Sequence, residues 1–247
     1  MKLLRFCLIP LAALALTSCI QVEQELTINA DGSGTVNAHF AINQTTIEMI
    51  EAAQKQGDGA KPKNDFPMTV EDVKKKFEGK KDVTVKDVRL EDKDGKRHVY
   101  YVVEAKTLTA LMEATEMTNI NISKDADGNY TMWSEKKAEK PKTEEEKKME
   151  KQMRALMMPM LKGLRLAMKI NLPTEIIETT AHEKTEKSAA WVFDVDKDPS
   201  FLDDEPQFKV KFKGAGLSLP EVKATPEKDE APEGDGDEMP ALPPAKP

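Results

Sequence analysis

The stretch IQVEQELTINADGSGTVNAHFAIN, residues 20–43, decides the fold class. Val22, Leu26, Ile28 and Ala30 alternate with Glu23, Glu25, Thr27 and Asn29, the period of a strand with one dry face and one wet face. Asp31-Gly32-Ser33-Gly34 supplies turn residues, and Val36, Ala38, Phe40 and Ile42 resume the apolar side. The stretch therefore predicts a β-hairpin.

The same device recurs downstream. Val83, Val85, Val88 and Leu90 form a strand whose phase slips at Lys86-Asp87, which predicts a bulge. Asp92 to Gly95 turns it into Val99, Tyr101, Val103 and Ala105. Ile120 and Ile122 pass through Asp125 to Gly128 into Tyr130 and Met132. Leu164 to Leu172 alternates and stops at Pro173. Ile176 to Ala181 is expected to turn through Glu183 to Lys187 into Ala189, Trp191, Phe193 and Val195, and Phe208, Val210 and Phe212 make the last strand.

Helical spacing separates these hairpins. Ile47, Ile50 and Ala53 share a face. Thr69 caps a helix carrying Val73 and Phe77 that Gly79 stops. Leu108, Leu111, Met112 and Thr115 mark a short helix. Thr143, with Glu146 three residues on, opens a longer one whose apolar stripe is Met149, Met153, Leu156, Met157 and Met160. Together the elements predict an α+β fold, a mainly antiparallel β-sheet built from successive hairpins with helices packed on one face.

Upstream of the hairpin, Lys2 and Arg5 precede an apolar run from Phe6 to Leu16, too short to cross a bilayer. Leu16-Thr17-Ser18-Cys19 follows in the register of a bacterial lipobox. Residues 1–18 are thus expected to be a lipoprotein signal peptide, and Cys19 to become the lipidated first residue of the mature chain. Two acyl chains are enough for stable anchoring. Ile20 stands where an aspartate would signal inner-membrane retention. The expected location is therefore the outer membrane, periplasmic face, or the cell-membrane exterior in a source without an outer membrane. Only Cys7 and Cys19 exist, so the mature monomer has no disulfide.

The net charge of −7 becomes −9 when Lys2 and Arg5 leave with the signal, and no basic stripe with interleaved aromatics occurs. Both observations argue against nucleic acid as a partner. Residues 19–213 form the expected single domain. Residues 214–247 hold seven prolines, eight acidic side chains and no aromatic, the composition of a disordered tail.

A lipobox cysteine running straight into a strand, the Asp31–Gly34 hairpin turn, the following helix and the strand from Gly163 to Pro173 resemble the LppM-type domain of bacterial lipoproteins. The resemblance spans roughly residues 19–213. It implies an envelope lipoprotein whose α+β domain binds lipid or glycolipid, with no catalytic residues to carry over. The Met-rich helix and the acidic tail depart from that pattern.

Candidate sites are few. Asp194, Asp196 and Asp198 with Glu205 repeat the ligand spacing of a calcium-binding EF-hand loop, but Pro199 occupies the position that needs glycine and a strand precedes it. Met149, Met153, Leu156, Met157 and Met160 offer an adaptable apolar face, either core or one wall of a lipid cavity. His39, His98 and His182 are far apart in sequence, and no nucleophile elbow, Walker loop or zinc motif occurs. The sequence therefore points to a non-catalytic domain without a cofactor beyond the lipid on Cys19. Its expected role is to bind lipid or glycolipid. The alternative is a structural or assembly lipoprotein that engages an envelope protein.

Overall fold

The computed structural model describes residues 20–48, 67, 69–117, 119–135, 143–145, 148–149, 152, 158, 161–202 and 206–224. Strands β1 (Ile20–Ile28) and β2 (Gly34–Asn43) form the predicted hairpin in continuous register, from Ile20 opposite Ile42 to Ile28 opposite Gly34. Its turn depends on Gly32, whose φ is +83° and whose missing Cβ would lie 3.1 Å from the Ser218 carbonyl oxygen. Asp31 closes the turn by accepting from the Ser33 backbone N–H and hydroxyl at 3.0 and 2.7 Å.

Helix α1 (Val70–Phe77) starts where its cap residue predicts. Thr69 Oγ1 accepts from the Asp72 N–H at 3.0 Å, and the Asp72 carboxylate accepts from the Thr69 N–H at 2.9 Å. Gly79, at φ +72°, follows its end. Strands β3 (Val83–Lys93) and β4 (Lys96–Ala105) pair with a register shift between Val85 and Asp87, the predicted bulge. Helix α2 (Leu108–Ala114) is capped by Thr107. Then come β5 (Ile120–Lys124), β6 (Tyr130–Ser134), β7 (Arg165–Asn171), β8 (Ile176–Thr179), β9 (Glu183–Lys184), β10 (Ser188–Asp194), a 3-10 turn (Pro199–Leu202) and β11 (Lys209–Phe212).

The α+β class stands, with the strands divided between two sheets. The larger has the order β3-β4-β2-β1-β7-β10-β9, the smaller β5-β6-β11-β8. Among the described residues every strand pair is antiparallel except β1 with β7. The expected hairpin between Ile176–Ala181 and Ala189–Val195 does not form. Instead β8 joins the smaller sheet beside β11, and the chain crosses to the larger sheet through the two-residue β9. Thr180 pins the crossover: its hydroxyl oxygen accepts from Trp191 Nε1 at 3.2 Å and from the Lys209 N–H at 3.0 Å.

One core joins the layers. Leu26, Val36, Val99, Val103, Ile170 and Trp191 of the larger sheet meet Ile122, Met132, Val210 and Phe212 of the smaller one, with Val73, Leu108 and Leu111 from the helices. The inner face of the larger sheet is therefore covered by the second sheet as well as by helices.

The expected domain limit at Lys213 is too early. Leu217 and Leu219 belong to the core, Tyr130 Oη accepts from the Leu219 N–H at 3.2 Å, and Val222 bridges Ile122. Two leucines and one valine supply apolar burial that a count of prolines and carboxylates overlooks. The rest of the expected tail, 225–247, lies outside the described residues.

Candidate functional site

Strand periodicity leaves the odd-numbered residues of β1 and β2 on the outer face of the larger sheet. The pairing registers then assemble two rows of side chains running across the strands. The first is Arg89, Tyr100, His39, Glu23, Ala167 and Val192. The second is Asp87, Val102, Asn37, Glu25, Lys169 and Ala190. Between them the backbone of Tyr101, Ala38, Gln24, Met168 and Trp191 forms the floor of an open trough of about 520 Å³. Alanine and valine at one end keep the walls low there, and long polar side chains raise them elsewhere.

The walls are tied internally. Glu23 accepts from Arg165 Nη1 and meets His39 Nδ1 at 3.2 Å. Glu25 Oε1 accepts from Lys169 Nζ at 2.8 Å and from Asn171 Nδ2 at 2.6 Å. Lys169, with Asn171 second, holds the Glu25 carboxyl below the usual carboxylate range, by favouring its charged form. Arg89 lies 3.5 Å from Asp87 and over the Tyr100 ring, 5.0 Å from its centroid. Tyr100 stacks on His39 with centroids 4.3 Å apart. His39 Nε2 reaches His98 Nδ1 at 3.0 Å. Each lining charge thus has an opposite partner. Asn37 and the Tyr100 hydroxyl make no side-chain hydrogen bond among the described residues and are open to a ligand.

No local motif in the sequence marks this site. Its histidines looked scattered because His39 and His98 are 59 residues apart, and only the β2–β4 register, His39 opposite Tyr100 and Ala41 opposite His98, brings them together. The strand alternation that put both on wet faces was the available signal.

The residues singled out from sequence are placed differently. Met149 is 66% exposed. Met153, Leu156, Met157 and Met160 lie outside the described residues, as does Cys19. The acidic triplet does not converge. Asp194 accepts from the Asp196 N–H at 3.1 Å, Asp196 from the Gly163 N–H at 3.0 Å, and Asp198 from the Ser200 N–H at 2.9 Å. The Asp194 and Asp198 carboxylates close local turns and that of Asp196 ties down Gly163 ahead of β7, while Ser200 holds that of Asp198 below its ordinary range. Glu205 is outside the described residues. Among the described residues no three His, Cys, Asp or Glu side chains form a metal-ligand group, and no helix is long and apolar enough to cross a membrane.

No protein-family model and no curated protein matches the chain. Among solved structures, the folded domain of Mycobacterium tuberculosis LppM, determined by NMR, is similar. The identity is 11%, the TM-score 0.41, and the match covers 82% of this chain and 92% of that one. That protein bears the name of the family the sequence motifs resemble, but a likeness of this size shows no shared family.

Proposed function

We propose that this chain is a bacterial envelope lipoprotein, anchored through acyl chains on Cys19 at the periplasmic face of the outer membrane, or on the cell-membrane exterior in a source without one. Its domain binds rather than catalyses. It holds the neutral sugar headgroup of a glycolipid in the trough across the larger sheet.

One observation carries this reading: the trough runs across β1, and β1 begins one residue after the lipobox cysteine. Strand rise of about 3.3 Å per residue places the rows at Glu23 and Glu25 no more than about 13 to 20 Å from Cys19. A trough lying across the strands at that height faces groups that project from a bilayer surface. Its chemistry supports a neutral polyol. The lining charges are already paired, so a phosphate would have to break an internal ion pair. The Asn37 amide and Tyr100 hydroxyl offer neutral donors and acceptors, and Ala167 and Ala190 leave room for ring atoms.

The test uses the full chain in phosphatidylcholine nanodiscs with a trace of photoreactive digalactosyldiacylglycerol. Labelling should map to the rows at Val102, Ala167 and Ala190. Ala190→Trp, which fills the trough, should cut labelling by about tenfold or more, at least 1.4 kcal/mol of binding. Equal labelling from photoreactive phosphatidylcholine, or no effect of Ala190→Trp, would remove the proposal.

A further inference from the structure

The trough wall contains a chain of polar contacts whose proton positions are fixed by chemistry. Glu23 is an acceptor only, and it also accepts from Arg165. His39 Nδ1, 3.2 Å from Glu23 Oε2, must therefore carry a proton. In neutral His39, Nε2 is then a bare lone pair. The contact of 3.0 Å to His98 Nδ1 is a hydrogen bond only if His98 donates from Nδ1. The two ring planes differ by 9° and their centroids are 5.3 Å apart, as expected when the nitrogens point head-on at each other. His98 Nε2 is left as the bare end of the chain. It is buried and has no hydrogen-bond partner among the described residues.

We propose that Glu23, His39 and His98 form a proton-operated latch on the trough wall. Resting on the glycolipid reading for its physiological ligand, it releases the His39 side of the trough on acidification.

The reason is a proton count. A proton added to the pair has two routes. It can go directly onto His98 Nε2. Alternatively it can go onto His39 Nε2, which forces the His98 proton from Nδ1 to Nε2. Both routes place an N–H on the same buried atom, which has no acceptor among the described residues. A buried donor without a partner is costly, so the His98 ring must leave its seat to find water. That breaks the bond to His39, and His39 and Tyr100, stacked together, lose their outer support.

The groups facing the pair are Glu23 from β1, Arg165 from β7, Tyr100 from β4, and Arg89 and Glu91 from β3. Glu91 is the cross-strand neighbour of His98, and Asp194 on β10 stands in register with Arg165. Arg97 and Asp92, joined at 3.0 and 3.2 Å, are turned by strand alternation to the opposite face of the sheet from His98.

The test is imidazole 15N NMR on the full chain with labelled histidine. At about pH 7.5, His39 and His98 should both show Nδ1–H and bare Nε2, whereas an imidazole free in water titrates without such a fixed pattern. Glu23→Gln removes the carboxylate that holds the proton on His39 Nδ1, so the fixed Nδ1–H pattern of the two rings should be lost. At about pH 5, within the window where imidazoles charge, the wild-type His98 signals should move to a solvent-exposed, doubly protonated ring. The photoreactive digalactosyldiacylglycerol label at Ala190 should fall at least about fivefold in the same interval. Nε2–H tautomers in the wild type at neutral pH, or tautomers unchanged by Glu23→Gln, would overturn the latch. If that variant fails to fold, the wild-type tautomers and their acid shift decide alone. A correct tautomer pattern with no glycolipid labelling at either pH would sink the ligand reading and leave the latch. Labelling that is strong and equal at both pH values would do the reverse.

Discussion

Tyr101 shows how burial sets chemistry at a single residue. It is 3% exposed, packed between Phe40 and Phe77 with ring centroids 5.8 and 5.6 Å away. Burial, with a smaller contribution from Glu116, pushes its phenol from 10.0 up to about 12. The folded state therefore keeps the proton after the unfolded chain has lost it. Stability is unaffected below the unfolded value and falls as pH rises from there towards 12. The loss should be about 1.4 kcal/mol near pH 11. Tyr101→Phe removes this term, so its urea midpoint should change less between about pH 8 and 11 than that of the parent. Equal changes in both proteins would show that Tyr101 does not titrate differently on folding. The residue patterns of turns and caps were legible in sequence, because Gly32, Thr69 and Gly79 act on their own backbone. The His39–His98 contact was not, because neither residue's neighbours in sequence encode its partner.

Among the elements, pairing depended on more than alternation. The hairpins β1–β2, β3–β4 and β5–β6 followed from turn residues between two alternating runs. The run Ile176–Ala181 had the same pattern, yet it pairs with β11, which offers Val210 and Phe212 on the core side. Period two says that a strand has a dry face and does not say which strand lies beside it. The segment 217–222 makes the complementary point. Its composition reads as tail, but Leu217 and Leu219 are 8% and 7% exposed and its backbone bonds to Tyr130 and Ile122. Leu217→Ala and Leu219→Ala should each cost about 2 kcal/mol or more, measured by denaturant unfolding of the full chain. Losses under about 0.5 kcal/mol, the range of ordinary surface substitutions, would return the segment to the tail.

At the scale of the whole molecule, the proposed anchor at Cys19 directly precedes the strand that the trough crosses. Acylation at Cys19 would hold the start of β1 at the bilayer, and β1 is the central strand of the larger sheet. The intact mass of the chain purified from membranes should show loss of residues 1–18 and addition of acyl chains. Cys19→Ser should show neither, and a free thiol on the parent chain would refute the anchor. The sequence by itself determined the α+β class, the hairpins β1–β2, β3–β4 and β5–β6, the bulge, the caps and the expectation of a lipid anchor, since each rests on residues close together along the chain. Tertiary structure alone decided the division into two sheets, the crossover after β8, the burial of 217–222 and the trough. The parallel β1–β7 pair joins segments more than 140 residues apart, Glu25 with Lys169 among them at |i−j| of 144, and no turn connects them. Such pairing is selected by the shape of the shared core, which exists only once the distant strands have met.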